Sequence, residues 1–305
     1  MMTTPIIEIQ NLTKRFDQKD VLSGVDLTIE QGQVVGLLGT NGSGKTTLIK
    51  CLLGLLKTTS GTCSIFGEDA WDLSAQAKSR LGYVSQEFAV LPWLTVQAAT
   101  EYIGAFYEHW DHQLVSRLLA EWDLDIKQRV GVLSVGQGQK LAVILAMGHR
   151  PELLILDEPV ASLDPLARRR FLQSLIDFTE DEKHTILFST HITSDLERIA
   201  SHVGMLREGE MGYWGEMDSL KNQVKRLRIH AKEFLPATMN IPGTIRCHVD
   251  GEHALVTVSE MDSETVNNIS TRLEAKVSVE DLNLEEIFLE LSGISSEYET
   301  AGASR

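Results

Sequence analysis

The sequence predicts an α/β fold, a mostly parallel sheet covered by helices, and three observations predict it. Val34–Leu38, Leu153–Leu156 and Thr185–Thr190 are mainly apolar runs without polar alternation, the pattern of strands buried on both faces. Helical patterns separate them. Each run ends on polar residues: Gly39–Thr47 after the first, Asp157-Glu158 after the second, His191 after the third. Ligands of open α/β sheets sit beyond the carboxyl ends of the strands. The pattern therefore nominates these three segments as neighbours of one site.

The elements follow in order. Ile6–Phe16 and Val21–Ile29 read as strands of a flanking antiparallel sheet. Val34–Leu38 enters the parallel sheet, and a helix is expected over roughly Lys45–Leu55. From about 87 to 150 the pattern turns helical, with Trp93, Trp110 and Trp122 in it, which predicts an inserted helical subdomain. A composition shift near Lys221 separates a first domain, 1–220, from a small α+β domain, 221–293. There Arg246–Val249 and Ala254–Val258 flank Asp250-Gly251, a hairpin turn. Asn283 and Glu286 have capping-box spacing, with Leu284, Ile287, Phe288 and Leu291 as the apolar face of the helix. Residues 294–305 are small and polar and read as a flexible tail.

Lys and Arg number 28 and Asp and Glu 43 among 305 residues, a net charge of −15. Binding a phosphodiester backbone needs clustered cations, so the balance argues against nucleic acid as a partner. The densest basic run, Arg168–Arg170, reads as a solvated helix face. Cys51, Cys63 and Cys247 are odd in number and far apart, which suggests neither a disulfide framework nor a zinc knuckle, and a reducing compartment. Met1–Pro5 shows no secretory signal. No apolar run approaches the roughly 20 residues that span a bilayer, so work at a membrane is expected to go through a partner.

Gly39-Thr40-Asn41-Gly42-Ser43-Gly44-Lys45-Thr46 matches G-x-x-x-x-G-K-[ST] at every fixed position. Glycines let such a loop turn its N–H groups inward around an anion. The helix that follows adds its positive dipole end. Lys45 supplies a point charge to the β/γ-phosphates, and the Thr46 hydroxyl can ligate Mg²⁺. A carboxylate at the strand end, Asp157, can hold Mg²⁺ through water. Glu158 is then free to orient a water for attack on the γ-phosphate.

Further motifs stand in one order. Gln86 closes Leu81-Gly-Tyr-Val-Ser-Gln86. Leu133-Ser134-Val135-Gly136-Gln137 precedes Gly138-Gln139-Lys140. Ala161-Ser162-Leu163-Asp164-Pro165 and Ser189-Thr190-His191 follow. With these the chain resembles the ATP-binding subunits of ABC transporters, from about Ile6 to Leu220. The resemblance implies a P-loop NTPase (RecA-like) core with an antiparallel β subdomain and a helical subdomain, with ATP and Mg²⁺ as cofactors. It implies that Phe16 stacks on adenine and that Gly39, Thr40, Asn41, Gly42, Ser43, Gly44, Lys45, Thr46 and Thr47 form the phosphate loop. It places Thr46, Gln86 and Asp157 around Mg²⁺, makes Glu158 the general base or water-polarising residue, and lets His191 bridge the γ-phosphate and the catalytic assembly. Ser134, Gly136, Gln137 and Asp164 would serve the composite site of a head-to-tail dimer, with a homodimer favoured.

Gln86–Val96, with Leu91-Pro92-Trp93-Leu94, lies where the family docks a membrane partner; Trp93 reads equally well as a packed core residue. Three positions depart from the family pattern: Val135 stands where glycine is usual, Gly138 where a basic residue is common, and Val160 where threonine is frequent. The expected function is the ATPase subunit of a transporter, peripheral on the cytoplasmic face of the membrane through a separate permease. The ending Leu284–Gly293 and the Tyr107–Trp122 region are similar to those of ABC-2 type exporters. A soluble ATPase that remodels ribosomes or DNA, and a regulator with vestigial hydrolysis, are the alternatives. His109 and His112, three apart on an expected helix, read as a hydrated acidic face rather than a metal pair. His248 and His253 read as surface residues.

Overall fold

The computed structural model describes residues 5–86, 91–161, 163–179, 184–236, 238–259 and 263–293. The chain divides into two compact units between Trp214 and Gly215.

In the first unit β1 (Ile7–Phe16) and β2 (Lys19–Ile29) pair antiparallel, Ile7 opposite Ile29 and Phe16 opposite Lys19. After β3 (Val34–Leu38) and α1 (Lys45–Leu52), β4 (Ser60–Ile65) and β5 (Glu68–Asp69) complete a sheet of order β2-β1-β4-β5. Next come α2 (Ala75–Ser79), β6 (Leu81–Val84), α3 (Val96–Gly104), α4 (His112–Glu121) and α5 (Val135–Met147). They are followed by β7 (Leu153–Asp157), α6 (Pro165–Thr179), β8 (Thr185–Thr190), α7 (Thr193–Ile199), β9 (His202–Arg207) and β10 (Glu210–Glu216). The second sheet has the order β10-β9-β3-β8-β7-β6, and every pairing from β9 to β6 is parallel. Every residue of β7 and β8 is buried, which is why neither run alternates. The register sets Leu38 beside Thr190 and Asp157 beside Ser189. The carboxyl ends of β3, β7 and β8 therefore meet at one edge.

One apolar core joins both sheets to α1. Ile7, Leu12, Leu22, Ile29, Leu37, Leu48, Leu52 and Ile155 in it are at most 1% exposed, each contributing about 1.5–3 kcal/mol by burial. α1 ends at Leu52, earlier than the expected Leu55. The N–H groups of residues 53–56 fold back onto the carbonyls of Ile49, Lys50 and Cys51 and close the helix.

Between β6 and β7 the described chain is mainly helical, through α3, α4 and α5. α4 buries Leu114, Val115, Leu118 and Leu119 and starts at Asp111, whose Oδ1 accepts from the Leu114 N–H at 2.8 Å. His112 opens α4 while His109 precedes it, so the two do not share a helix. Trp122 is buried, but Trp93 is 65% exposed, which removes its reading as a core residue. The Arg168–Arg170 run is not simply a solvated face. Arg168 Nε lies 3.7 Å from the buried Asp195, and Arg170 Nη1 lies 3.1 Å from Asp123.

His149 stacks on Tyr107 with ring centroids 3.9 Å apart, and its Nε2 donates to the Leu81 carbonyl at 3.2 Å. Burial pushes its pKa down from 6.5 to about 4. The folded ring stays neutral where the unfolded one takes up a proton, so acid favours unfolding between pH 6.5 and about 4. Over that window this group alone is expected to remove about 3 kcal/mol of stability. Denaturation curves against pH should be steeper there for the parent than for His149→Gln; equal slopes would contradict the assignment.

The second unit contains α8 (Met217–Gln223), β11 (Val224–His230), β12 (Thr244–Asp250), β13 (His253–Ser259), α9 (Ser263–Arg272), β14 (Lys276–Asp281) and α10 (Leu284–Ser292). Its antiparallel sheet has the order β12-β13-β11-β14. The unit starts ahead of Lys221 because α8, with Met217 and Leu220 buried, packs with β11. The hairpin loop is Gly251-Glu252, with Asp250 opposite His253, one residue later than the sequence suggests. The Asn283–Glu286 capping box forms. His248 and His253 are exposed. The expected tail, 294–305, lies outside the described residues. The three cysteines are free, and no described helix is long and apolar enough to cross a membrane.

Candidate functional site

β3 delivers the chain to the phosphate-loop motif, and residues 39–44 turn it into α1. A Cβ on Gly39 would fall 2.5 Å from the Leu206 carbonyl oxygen and 2.5 Å from Ser43 Oγ, and Gly44 takes a left-handed φ of 110°. Both conformations call for glycine. No side chain caps α1, so its first-turn N–H groups remain available to an anion. A cavity of about 320 Å³ opens there, walled by residues 40–47 together with Val21, Gln86 and Glu158.

Two buried side chains of opposite charge meet in it. Lys45 is 6% exposed and Glu158 8%. Lys45 Nζ lies 2.8 Å from Gly39 O, 3.3 Å from Thr40 O and 3.3 Å from Glu158 Oε1, at ion-pair distance from the last without a hydrogen bond. The other Glu158 oxygen, Oε2, accepts from His191 Nδ1 at 3.0 Å. The Glu158 N–H donates to Ser189 Oγ at 2.9 Å, and the Ser189 hydroxyl donates to Asp157 Oδ1 at 2.7 Å. Asp157 Oδ2 is buried with no partner among the described residues. Glu158 holds a φ of 50°, a left-handed conformation that non-glycine residues adopt at some cost and that gathers at functional sites.

The structure thus brings together residues 39–47, Gln86, Asp157, Glu158 and His191. Phe16 does not wall the cavity. It is 42% exposed, with Lys14 Nζ 4.8 Å from its ring centroid, and Val21 supplies the apolar wall instead. Ser134, Gly136, Gln137 and Asp164 also stand apart from the cavity. Ser134 caps α5 in a capping box with Gln137, so the Gln137 side chain is occupied within its own helix. Val135 is 72% exposed at the first position of α5. Asp164 accepts from the Ala167 and Leu166 N–H groups, the first of which chiefly holds its carboxyl below the usual range. Ser162 lies outside the described residues. Two residues escaped sequence reasoning, Val21 and Ser189. Ser189 stood beside His191 in a recognised motif, but only the β7–β8 register aims its hydroxyl at Asp157.

Comparison with known proteins decides what this site belongs to. The ABC transporter family model matches residues 22–161. The Nod factor export ATP-binding protein I of Burkholderia lata is 32% identical over 94% of this chain and 97% of its own. The chain belongs to the ABC transporter family. Within it, the chain is an ATP-binding subunit and an ATPase. The bacitracin transport ATP-binding protein BcrA of Bacillus licheniformis is also similar, 32% identical over 72% of this chain and 73% of its own. Among solved structures, an ATP-binding subunit of an ABC transporter aligns with a TM-score of 0.63 at 27% identity, over 71% of this chain and 92% of that one. The ATP-binding cassette MJ0796, dimeric with ADP and Pi, shares the fold with a TM-score of 0.62 at 24% identity, over 69% of this chain and 98% of its own. None of these relatives supports a ribosome- or DNA-remodelling ATPase.

Proposed function

We propose that this ABC ATPase powers export of a solute through a separate membrane-spanning permease, by clamping Mg·ATP between two copies of itself and hydrolysing it. The observation that carries the reading is the single hydrogen-bonded chain His191–Glu158–Ser189–Asp157, closed onto Lys45 at the wall of the phosphate-loop cavity.

In this reading the N–H groups of residues 42–47 and the Lys45 ammonium hold the β- and γ-phosphates. Mg²⁺ would be held by Thr46, Gln86 and Asp157. The fit rests on Asp157 Oδ2, a buried carboxylate oxygen left without a partner. When bound, the ion neutralises charge on the phosphate oxygens. Glu158 accepts a proton from the attacking water. His191, donating through Nδ1, fixes the Glu158 carboxylate and leaves only Nε2 to face the substrate. Ser189 ties the Asp157 carboxylate and the Glu158 backbone N–H to β8, so the placement of these two residues does not depend on the substrate. Phe16 stacks on adenine, and Ser134, Gly136, Gln137 and Asp164 close the site of the second copy. The Leu91–Leu94 turn, with its exposed Trp93, docks the permease at the cytoplasmic face of the membrane.

The relative named for Nod factor export supports the direction. The net charge of −15 speaks against a nucleic-acid partner. Purified protein is expected to turn over ATP with Mg²⁺ and to stop when EDTA removes it. Affinity purification from membranes should bring down a multi-spanning protein. Turnover that survives EDTA would remove the metal assignment, and recovery of ribosomes in place of a membrane protein would remove the transport reading.

A further inference from the structure

The second unit lies beyond the family match, which ends at residue 161. Its sheet ends in β12 on one side and in β14 on the other. β14 pairs with β11 from Lys276 to Asp281 without a register shift, and no other described strand pairs with it. Its outward N–H and C=O groups are an open template for a further strand. β12 differs: a register shift between Thr244 and Arg246 interrupts its ladder, and such bulges close an edge to pairing.

The two faces of β14 carry different residues. Val277 and Val279 lie opposite Ile229 and Leu227, on the face that holds the apolar core of the unit. Val277 packs against that core, but Val279 is 44% exposed. The core face thus runs out to the open edge with an uncovered valine on it. Lys276, Ser278 and Glu280 share the other face. Arg228 holds the Glu280 carboxylate at 2.8 and 3.3 Å, yet that side chain is still 36% exposed. Lys276 is exposed and has no ion-pair partner among the described residues.

Which partner suits this edge is decided by the order of these residues. A second copy, related by a two-fold axis perpendicular to the sheet, pairs antiparallel and keeps the same face up. Even-numbered residues then oppose even-numbered ones. Centred on Ser278, that pairing sets Lys276 of each copy against Glu280 of the other, and Val277 of each against Val279 of the other. Opposite charges and β-branched residues placed directly across a ladder stabilise it, and like charges weaken it. The symmetric registers centred on Val277 or Val279 set Lys276 or Glu280 against Ser278 and form no charge pair. On β12 the equivalent pairing about Cys247 sets Arg246 against His248, again with no opposite charge.

We propose that β14 pairs antiparallel with β14 of a second copy of this chain, in the register centred on Ser278. The two four-stranded sheets then form one continuous sheet, and Val279 gains an apolar neighbour. The contact needs no nucleotide. It uses none of the residues that clamp Mg·ATP in the proposed function, so either association can fail without the other.

Sedimentation velocity of the full chain in EDTA without nucleotide, over a dilution series, tests the association. A dimer is expected. Lys276→Glu faces Glu280 of the second copy twice over, and is expected to weaken the dimer at least about tenfold while ATP affinity stays at the parent value. Cross-linking tests the register in a Cys247→Ser background. Ser278→Cys brings two Cα atoms to about 4.5–5.5 Å, inside the range that a disulfide spans. Mild oxidation without nucleotide is expected to link that variant into a dimer. Lys276→Cys is the control, because its two copies stand about 14 Å apart along the strands, and it is expected to stay unlinked. A monomer at every concentration would overturn the proposal. So would a dimer that Lys276→Glu leaves at full strength, failure of Ser278→Cys to link, or equal linking of the two cysteine variants.

Discussion

Glu158→Gln is expected to leave ATP binding intact, to cut hydrolysis by about 10²–10⁴-fold, the range for loss of a general base, and to accumulate an ATP-bound dimer. The amide keeps the size of the side chain and an oxygen for His191 Nδ1, which lies 3.0 Å from Glu158 Oε2 in the parent. It cannot take up a proton from water at neutral pH. Lys45 keeps the Gly39 and Thr40 carbonyls as partners, so the phosphate loop survives the change. Single-turnover hydrolysis and light scattering with saturating ATP check the two halves. A variant that remains monomeric with ATP bound would remove the head-to-tail arrangement, and one that hydrolyses at the parent rate would remove Glu158 from the chemistry.

Lys45→Ala acts at an earlier step, on binding itself. The ammonium is buried, and truncating one partner of a buried charged contact costs about 2–5 kcal/mol. Nucleotide affinity is therefore expected to fall at least about 30-fold. Stability should drop as well, because Glu158 loses its cation. Fluorescent-nucleotide titration reports the first effect and thermal unfolding without nucleotide the second. Unchanged affinity in a folded variant would show that Lys45 does not hold phosphate.

Much of this was legible in the sequence for reasons that are local. β7 and β8 are buried on both faces, so their composition alone marked them. The glycine-lysine-threonine loop was visible because its backbone conformation restricts the residues that can form it. Asn283 and Glu286 advertised a helix start through a bond that spans three residues. What escaped depends on contacts distant in sequence. Lys45 meets Glu158 only after β3 and β7 have been placed in one sheet. Ser189 becomes a bridge between the Asp157 carboxylate and the Glu158 backbone only through the β7–β8 register. Trp93 had two equal readings, and its exposure removes the one as a packed core residue. Phe16 was nominated by resemblance, not by a physical pattern, and it is the nominated residue of the first strand that stands away from the cavity wall. The units divide ahead of Lys221, because composition does not register that α8 packs on β11.

Glu158 also bears on how this enzyme would respond to selection in the laboratory. Its backbone is wound into the left-handed region, at φ 50°, which costs a non-glycine residue about 1–3 kcal/mol. Glycine at 158 would release that cost, yet it would strip away the proton acceptor and leave the buried Lys45 ammonium without its carboxylate. A directed-evolution campaign scored on melting temperature alone would weigh only those two opposing terms and take no account of the chemistry at this codon. Retaining glutamate there requires that turnover be scored in every round.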